Sequence, residues 1–355
     1  MKTKKLIILC VCALALAACG GDDGPINIHG GGGNSSISDD KSENTNKNTS
    51  GPIAAQTRYE FPKTKGGTSE VIVHECLLNS SSKETGVNYC LEWDHSKRAT
   101  RWVCYQMYQS VRASNWNRNN WPNGDPWAYD PLVPEDEQQN TYNELSKTTP
   151  PLPNSSYYQK GHILPSADRL CSQDANGQTY YMTNIYPQVG DFNIGIWMTM
   201  ESRVRTWADQ SDTLYVCKGG TIDDSKNILG YTMPSYGGHT GNHIVPKYFF
   251  TALLSKKGSK LKALGFWAEH KDGSSWGALK EYICSVDELE EKTGIDFFCN
   301  LPDDTEKTVE STLNLSDWSL KQKRLKFLAI RRKCRIFAEN SKDTTFINIT
   351  TSQKK

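Results

Sequence analysis

Apolar and polar positions alternate along EVIVHECL, residues 70–77. A two-residue period predicts a strand with one buried face. NYCLEWDHSKRATRWVCYQMY, residues 88–108, reads as two more strands around a turn at Asp94 to Arg98. TLYVCKGGTI, HIVPKYFFTALLS and KLKALGFWAEH predict three further strands across residues 213–270. The period changes at DFNIGIWMTMESRVRTWADQ, residues 191–210, where Ile196, Met200, Val204 and Trp207 recur at helical spacing. Gly190 breaks the chain before this helix, and Asp191 is placed to cap it. A second helix is predicted at SVDELEEKTG, residues 285–294. Strands and helices mix without regular βαβ alternation, which predicts an α+β domain with one core.

The ends of the chain break this pattern. Lys2, Lys4 and Lys5 precede an apolar run too short to span a bilayer, and Leu16-Ala17-Ala18-Cys19 closes it. Residues 1–18 therefore read as a signal peptide. The closing residues resemble a bacterial lipobox, with Cys19 lipidated as the mature N-terminus. No other run is long enough to cross a membrane, so the expectation is a chain anchored by lipid to the outer membrane. Asp22 and Asp23 resemble a signal for display at the cell surface. Residues 19–66 are expected to be a flexible linker: the stretch 20–51 is built mostly from Gly, Asn, Ser, Asp, Lys and Thr, with no aromatic residue. The globular domain is expected at residues 67–320, which hold all ten tryptophans. Residues 321–355 form a tail with eight Lys or Arg in its first fifteen positions. It reads either as a solvated appendage or as added grip on a polyanion.

Charge narrows the function only a little. The net charge is +1 among 355 residues, so a polyanion partner must meet a local patch. Eight of the eleven cysteines lie beyond the leader, at positions 76, 90, 104, 171, 217, 284, 299 and 334. An even number in an exported chain predicts disulfides, with Cys76/Cys90 and Cys284/Cys299 as local candidates among roughly a hundred pairings. No CxxC pair points to a zinc ribbon. Residues 108–153 form a long segment rich in Asn, Pro, Trp and Asp. Its aromatic residues need packing partners, which predicts an ordered, functional loop.

The candidate chemistry lies in YYQKGHILPSADRL and the segment behind it. His162 follows Lys160-Gly161, Asn184 sits in a Thr-Asn-Ile-Tyr-Pro-Gln turn, and Asn193, Glu201 and Arg205 lie on the helix. On an ideal helix Asn193 and Glu201 are about 80° apart around the axis and about 12 Å apart along it. Asn193 then falls on the apolar stripe, where an inward amide needs a partner such as a metal ion. At that separation one ion takes Asn193 directly and reaches Glu201 through water, which suits a hard cation such as Mg²⁺. Neutral imidazole as base and a metal as electrostatic clamp suggest phosphodiester hydrolysis.

QKGH, TNIYPQ and FNIGIWMTMESRVR together resemble the signature of the DNA/RNA non-specific endonucleases, which have a ββα-metal fold. The resemblance spans roughly residues 89–304. It implies a mainly antiparallel central sheet flanked by helices. It also implies cleavage of DNA and RNA with little sequence preference, using Mg²⁺ or another divalent cation such as Mn²⁺. His162 matches the family's general base, Asn193 its metal ligand, and Asn184, Glu201 and Arg205 its other site positions. Lys160 and Gln159 replace the Arg and Asp of the family's Asp-Arg-Gly-His motif. Lysine keeps the charge but loses the planar fork that grips phosphate. The family's loop arginine matches either Arg112 or Arg118, and spacing does not separate them.

Plainer readings stand beside these. Asn193 is close enough to the helix start to cap it, and Glu201–Arg205 fits an i,i+4 surface pair. Arg169 reads as an ion-pair partner of Asp168 or as a phosphate contact. His74 reads as a structural strand residue and His95 as a hairpin surface residue. His239 and His243 have helical metal-ligand spacing, but the surrounding glycines argue against a helix. A surface receptor that binds nucleic acid without cutting it is the alternative function; no obligate protein partner is expected.

Overall fold

The computed structural model describes residues 43–138, 148–149, 158–232, 243–273 and 275–320. Cys19, the first part of the linker, His239, Cys334 and the basic tail lie outside the described residues.

Seven antiparallel strands form the main sheet in the order β1-β2-β3-β7-β10-β11-β12. They are β1 (Ser69–Asn79), β2 (Glu84–Asp94), β3 (Ala99–Tyr108), β7 (Thr213–Gly220), β10 (Tyr248–Lys257), β11 (Lys260–Glu269) and β12 (Ile283–Cys284). The strand-like segments of the sequence fall on these strands, and both faces of the sheet are covered. On one face Val103, Tyr105, Leu214, Val216, Phe249 and Leu253 join a core with the helical residues Ile196, Met200, Val204 and Trp207. On the other, Trp102, Cys104, Cys217, Phe250 and Leu254 pack against Phe61, Leu289 and Phe297. HIVPKYFFTALLS is two strands rather than one. β9 (Ile244–Pro246) belongs to a small sheet with β4 (Thr148–Thr149) and β8 (Ile228–Thr232).

A separate two-stranded ribbon pairs β5 (Tyr158–His162) with β6 (Ile185–Val189), and Gly161 opposes Tyr186. Between them, α2 (Gln173–Gln178) is capped by Ser172, whose side chain accepts from Ala175 N. Behind β6 come a short turn α3 (Gly190–Phe192), a π-turn over Asn193–Trp197, and α4 (Met198–Ala208). This β5-β6-α4 run is the expected ββα unit inside an α+β domain.

The helix is not the straight cylinder the sequence suggested. Gly195 has φ −95° and ψ −108°, which kinks the chain. An added Cβ at Gly195 would lie 2.4 Å from Trp276 Nε1, and that indole N–H donates to Asp191 O at 3.0 Å. Glycine is thus required where Trp276 plugs the bend. Asp191 does not cap; Val189 holds the cap position and no side chain caps there. The ideal-helix angles between Asn193 and Glu201 do not survive the π-turn.

The domain begins earlier than position 67. Asn48 is buried, and its Nδ2 donates to Ala55 O and Pro62 O. α1 (Ile53–Thr57) packs Ala54 and Ala55 into the core. Residues 43–66 are therefore a packed arm rather than a flexible linker, held by asparagine side chains and by the buried Ala54, Ala55 and Phe61. The C-terminal side adds α5 (Val286–Thr293), capped by Ser285, and α6 (Asp303–Ser311).

The expected disulfides are not formed. Cys76, Cys90, Cys104, Cys171, Cys217, Cys284 and Cys299 are all free thiols. Cys76 packs with Cys171, whereas Cys90 opposes Cys104 across β2–β3, so the proposed Cys76/Cys90 pair belongs to two different clusters. Cys299 sits under Asn48 and Phe61, and Cys284 sits against β11.

Candidate active site

The Lys-Gly-His sequence makes sense from the ribbon. A Cβ at Gly161 would lie 2.2 Å from the buried side chain of Gln188, so the β5–β6 approach requires glycine. His162 follows at the end of β5. Its ring stands between Trp127 and Tyr180, each with its centroid 5.1 Å away. Among the described residues His162 Nε2 is buried without a hydrogen-bond partner. Burial first, and the charge of Arg118 second, push this imidazole down to about 3. It is a neutral base at physiological pH.

Asn184 bonds backbone groups. It is fully buried, its Oδ1 accepts from Leu164 N at 2.8 Å, and its Nδ2 donates to Leu164 O and Thr179 O. These bonds clamp the chain just after His162 and leave no free donor for substrate. Asn184 is a positioning residue.

Asn193 lies in the π-turn beside β5. Its Nδ2 donates to Gln159 Oε1 at 2.8 Å. The planar amide then turns Oδ1 away from Gln159, and no described protein group donates to that oxygen. Trp197, in the same turn, donates from Nε1 to His162 O at 3.1 Å, so it ties the histidine strand to the Asn193 segment.

Lys218 is the residue the sequence did not reveal. It projects from central strand β7 onto the same face as α4, between Val103 and Thr251. It is fully buried, with Nζ 4.3 Å from the Trp197 ring and 3.6 Å from Glu201 Oε1. Burial pushes Lys218 down and pushes Glu201 up to about 7, while each charge offsets that shift in the other. Glu201 therefore pairs with Lys218 and not with Arg205. Arg205 bonds Asp168 Oδ1 at 2.9 Å, and Asp168 Oδ2 accepts from Tyr105 at 2.9 Å. A buried lysine in a strand carries no periodic signal; the only hint was a lone charge inside TLYVCKGGTI.

The arginine candidates separate cleanly. Arg112 Nη1 reaches Asp209 at the far end of α4. Arg118 reaches Asp125 at 3.2 Å, and both charges act on His162. Arg169 is not a phosphate contact. It is 1% exposed, and its guanidinium donates to Asn88, Gln106 and Asp168. Lys160 lies over the Trp127 ring at 4.1 Å, and burial lowers it to about 8. Trp127 and Asp125 belong to the long Asn/Trp-rich loop. The described part of that loop, residues 108–138, is anchored through Asp130, which accepts from Thr183 and Leu132 and pairs with the buried His74 at 2.9 Å; residues 139–147 and 150–153 lie outside the described residues. His95 lies between Glu137 and Glu70 at the surface, and His243 is buried and pushed down to about 4 by burial.

The profile of the DNA/RNA non-specific endonuclease family matches residues 68–304. The chain belongs to that family. It is 28% identical over 237 residues to a nuclease of Nostoc, covering 64% of this chain and 76% of the relative. It is 25% identical over 251 residues to the human mitochondrial nuclease EXOG, covering 67% and 64%. A nuclease of Syncephalastrum racemosum is 32% identical over 156 residues, covering 41% and 49%. A chain from the crystal structure of the EndoG/EndoGI complex superposes with TM-score 0.47 at 21% identity, covering 60% of this chain and 84% of that one. The family member described here is thus a nuclease, a hydrolase with nucleic acid as its substrate class.

Proposed function

We propose that this endonuclease hydrolyses DNA and RNA with His162 as general base and Asn193 as direct ligand of one Mg²⁺ or Mn²⁺. The observation that carries the reading is the buried, unpartnered Nε2 of a neutral His162, whose strand is tied through Trp197 to the turn in which Gln159 leaves the Asn193 amide oxygen free. An amide oxygen is a ligand for a hard cation, which completes its shell with water. When bound, the ion supplies positive charge for the oxygens of the reacting phosphate. His162 takes the proton of the attacking water as its oxygen bonds phosphorus. The P–O bond to the departing nucleoside breaks, and that oxygen is protonated from solvent. Arg118, Lys160 and Arg205 hold the backbone rather than base edges, which gives cleavage with little sequence preference. Trp127 and Tyr180 keep the imidazole in place and partly dry.

The chain is also proposed to be lipidated at Cys19 and held at the outer membrane. The signal is the leader sequence, and Cys19→Ser should release the protein from the membrane fraction.

The deciding experiment incubates the soluble form with plasmid DNA and with RNA, in Mg²⁺ and in chelator, beside His162→Ala. Degradation of both polymers that needs Mg²⁺ and falls by about 10²–10⁴ in the variant supports the assignment. A folded wild type that shifts DNA on a gel without cutting it replaces the enzyme with the receptor reading.

A further inference from the structure

A second group of acids lies far along the chain from the His162 site. Asp287 and Glu290 on α5 and Glu310 on α6 each bring one carboxylate oxygen within 4.8 Å of the others. Asp296 and Glu306 adjoin them, both reached by Asn46 Nδ2 from the packed arm. Like charges this close repel, and burial makes the repulsion worse. Among the described residues no Lys or Arg pairs with any of the five. Lys292, on the same helix, pairs with Glu288 instead, and Lys63 donates to the carbonyls of Asn46 and Lys47.

Glu310 is the independent pointer. It is only 5% exposed, and its Oε1 is buried with no hydrogen-bond partner among the described residues. The neighbouring Asn46 Oδ1 is a second buried acceptor in the same state. Buried acceptors lacking donors cost stability unless something positive or hydrogen-bonding meets them. Glu290 uses one oxygen to accept from Phe297 N at 2.6 Å, which fixes its carboxylate toward the cluster.

We infer that Asp287, Glu290 and Glu310 form a structural site for a calcium-like divalent cation, joining α5 to α6 away from the catalytic residues. All three ligands are hard oxygens, and they come from two helices with no histidine or cysteine among them. Ca²⁺ accepts such flexible, carboxylate-rich sets and completes its shell with water. The ion would meet the unpartnered Glu310 oxygen and brace the packed arm through Asn46 and its bonds to Asp296 and Glu306.

The test uses the full chain, stripped with chelator and then titrated with CaCl₂ alone, read by calorimetry and by thermal unfolding. Asn193→Ala removes the proposed catalytic ligand and should still bind one Ca²⁺ and gain thermal stability from it. Glu310→Gln keeps the shape and removes the charge. It should lose affinity by about 10–100-fold or more and lose the thermal gain. Asp287→Asn, at an exposed position, gives the same readout should Glu310→Gln fold poorly. Loss of Ca²⁺ binding in Asn193→Ala, or unchanged binding in both α5/α6 variants, overturns the site. Neither measurement involves cleavage, so failure here and failure of the nuclease mechanism are separate results.

Discussion

Gln159 holds Asn193: its Oε1 accepts from the Asn193 amide at 2.8 Å. The residue that replaces the family's aspartate therefore orients the proposed metal ligand. Gln159→Ala should leave the fold intact and raise the Mg²⁺ needed for half-maximal cleavage by about 10–100-fold. Gln159→Glu, which can still accept from Nδ2, should recover most of that loss. An unchanged Mg²⁺ titration in the alanine variant would show that the bond does not serve the ion.

The pH profile should belong to Glu201 and not to His162. Burial holds His162 near 3, so it is neutral throughout the working range. Burial raises Glu201 to about 7, so it gains its charge only as pH rises through that value. Cleavage should then climb with pH around a midpoint near 7. Lys218→Met removes the cation that opposes the rise and should move the midpoint upward. A midpoint that stays put would separate Lys218 from the chemistry.

Three arginines should give three different phenotypes. Arg118→Ala should weaken nucleic-acid binding and reduce the salt slope by about one, with no change in melting temperature. Arg169→Met should cost on the order of 3 kcal/mol of stability, because it strands the carbonyls of Asn88, Gln106 and Asp168. Arg112→Ala should do little to either. Denaturant melts and binding isotherms at several salt concentrations distinguish them, and a stable Arg169→Met with weakened binding would reverse its assignment.

Gly161→Ala should disrupt the site from behind. The new methyl would collide with Gln188 at 2.2 Å, and Gln188 is fully buried. The β5–β6 ribbon must open, and His162 moves with it. A loss of about 1–3 kcal/mol with a larger loss of turnover is expected; full activity would mean that Gln188 has somewhere to go.

Asp223 supplies an acid-sensitive lock elsewhere. Burial would raise its pKa, but hydrogen bonds from Lys65 and Lys97 and the charge and bond of Arg101 hold it far below the ordinary carboxylate value. A depressed folded pKa contributes stability that is present above the unfolded value, about 3.9, and is lost as pH falls through the folded one. Asp223→Asn should therefore cost roughly 1–2 kcal/mol at pH 7 and progressively less below about pH 4. A pH-independent difference in melts would assign the effect to packing instead.

Much of this was legible in the chain because it follows periodicity. The strands at β1, β2, β3, β7 and β11, the α5 helix, and the apolar face of α4 are all local patterns. So was the packing of the described part of the Trp-rich loop, residues 108–138, since its aromatics had to pack somewhere. What failed depended on burial and on partners distant in sequence. Asn184 and Arg169 look like site residues in one dimension, yet their polar atoms are consumed by backbone groups. Lys218 was invisible because nothing local distinguishes a buried lysine in a strand. The arm at residues 43–66 looked unstructured because asparagine side chains, not apolar periodicity, attach it. The π-turn was hidden as well, since only the later Trp276 explains Gly195.

That last contact has a consequence for synthesis. His162, Asn193 and Glu201 are made before β10, β11 and Trp276, the parts that pack behind and lock them. A chain still leaving the ribosome carries these side chains but lacks the indole that sets the bend at Gly195. The order of translation thus leaves the bend at Gly195 unset until roughly three-quarters of the chain, through Trp276, has been made.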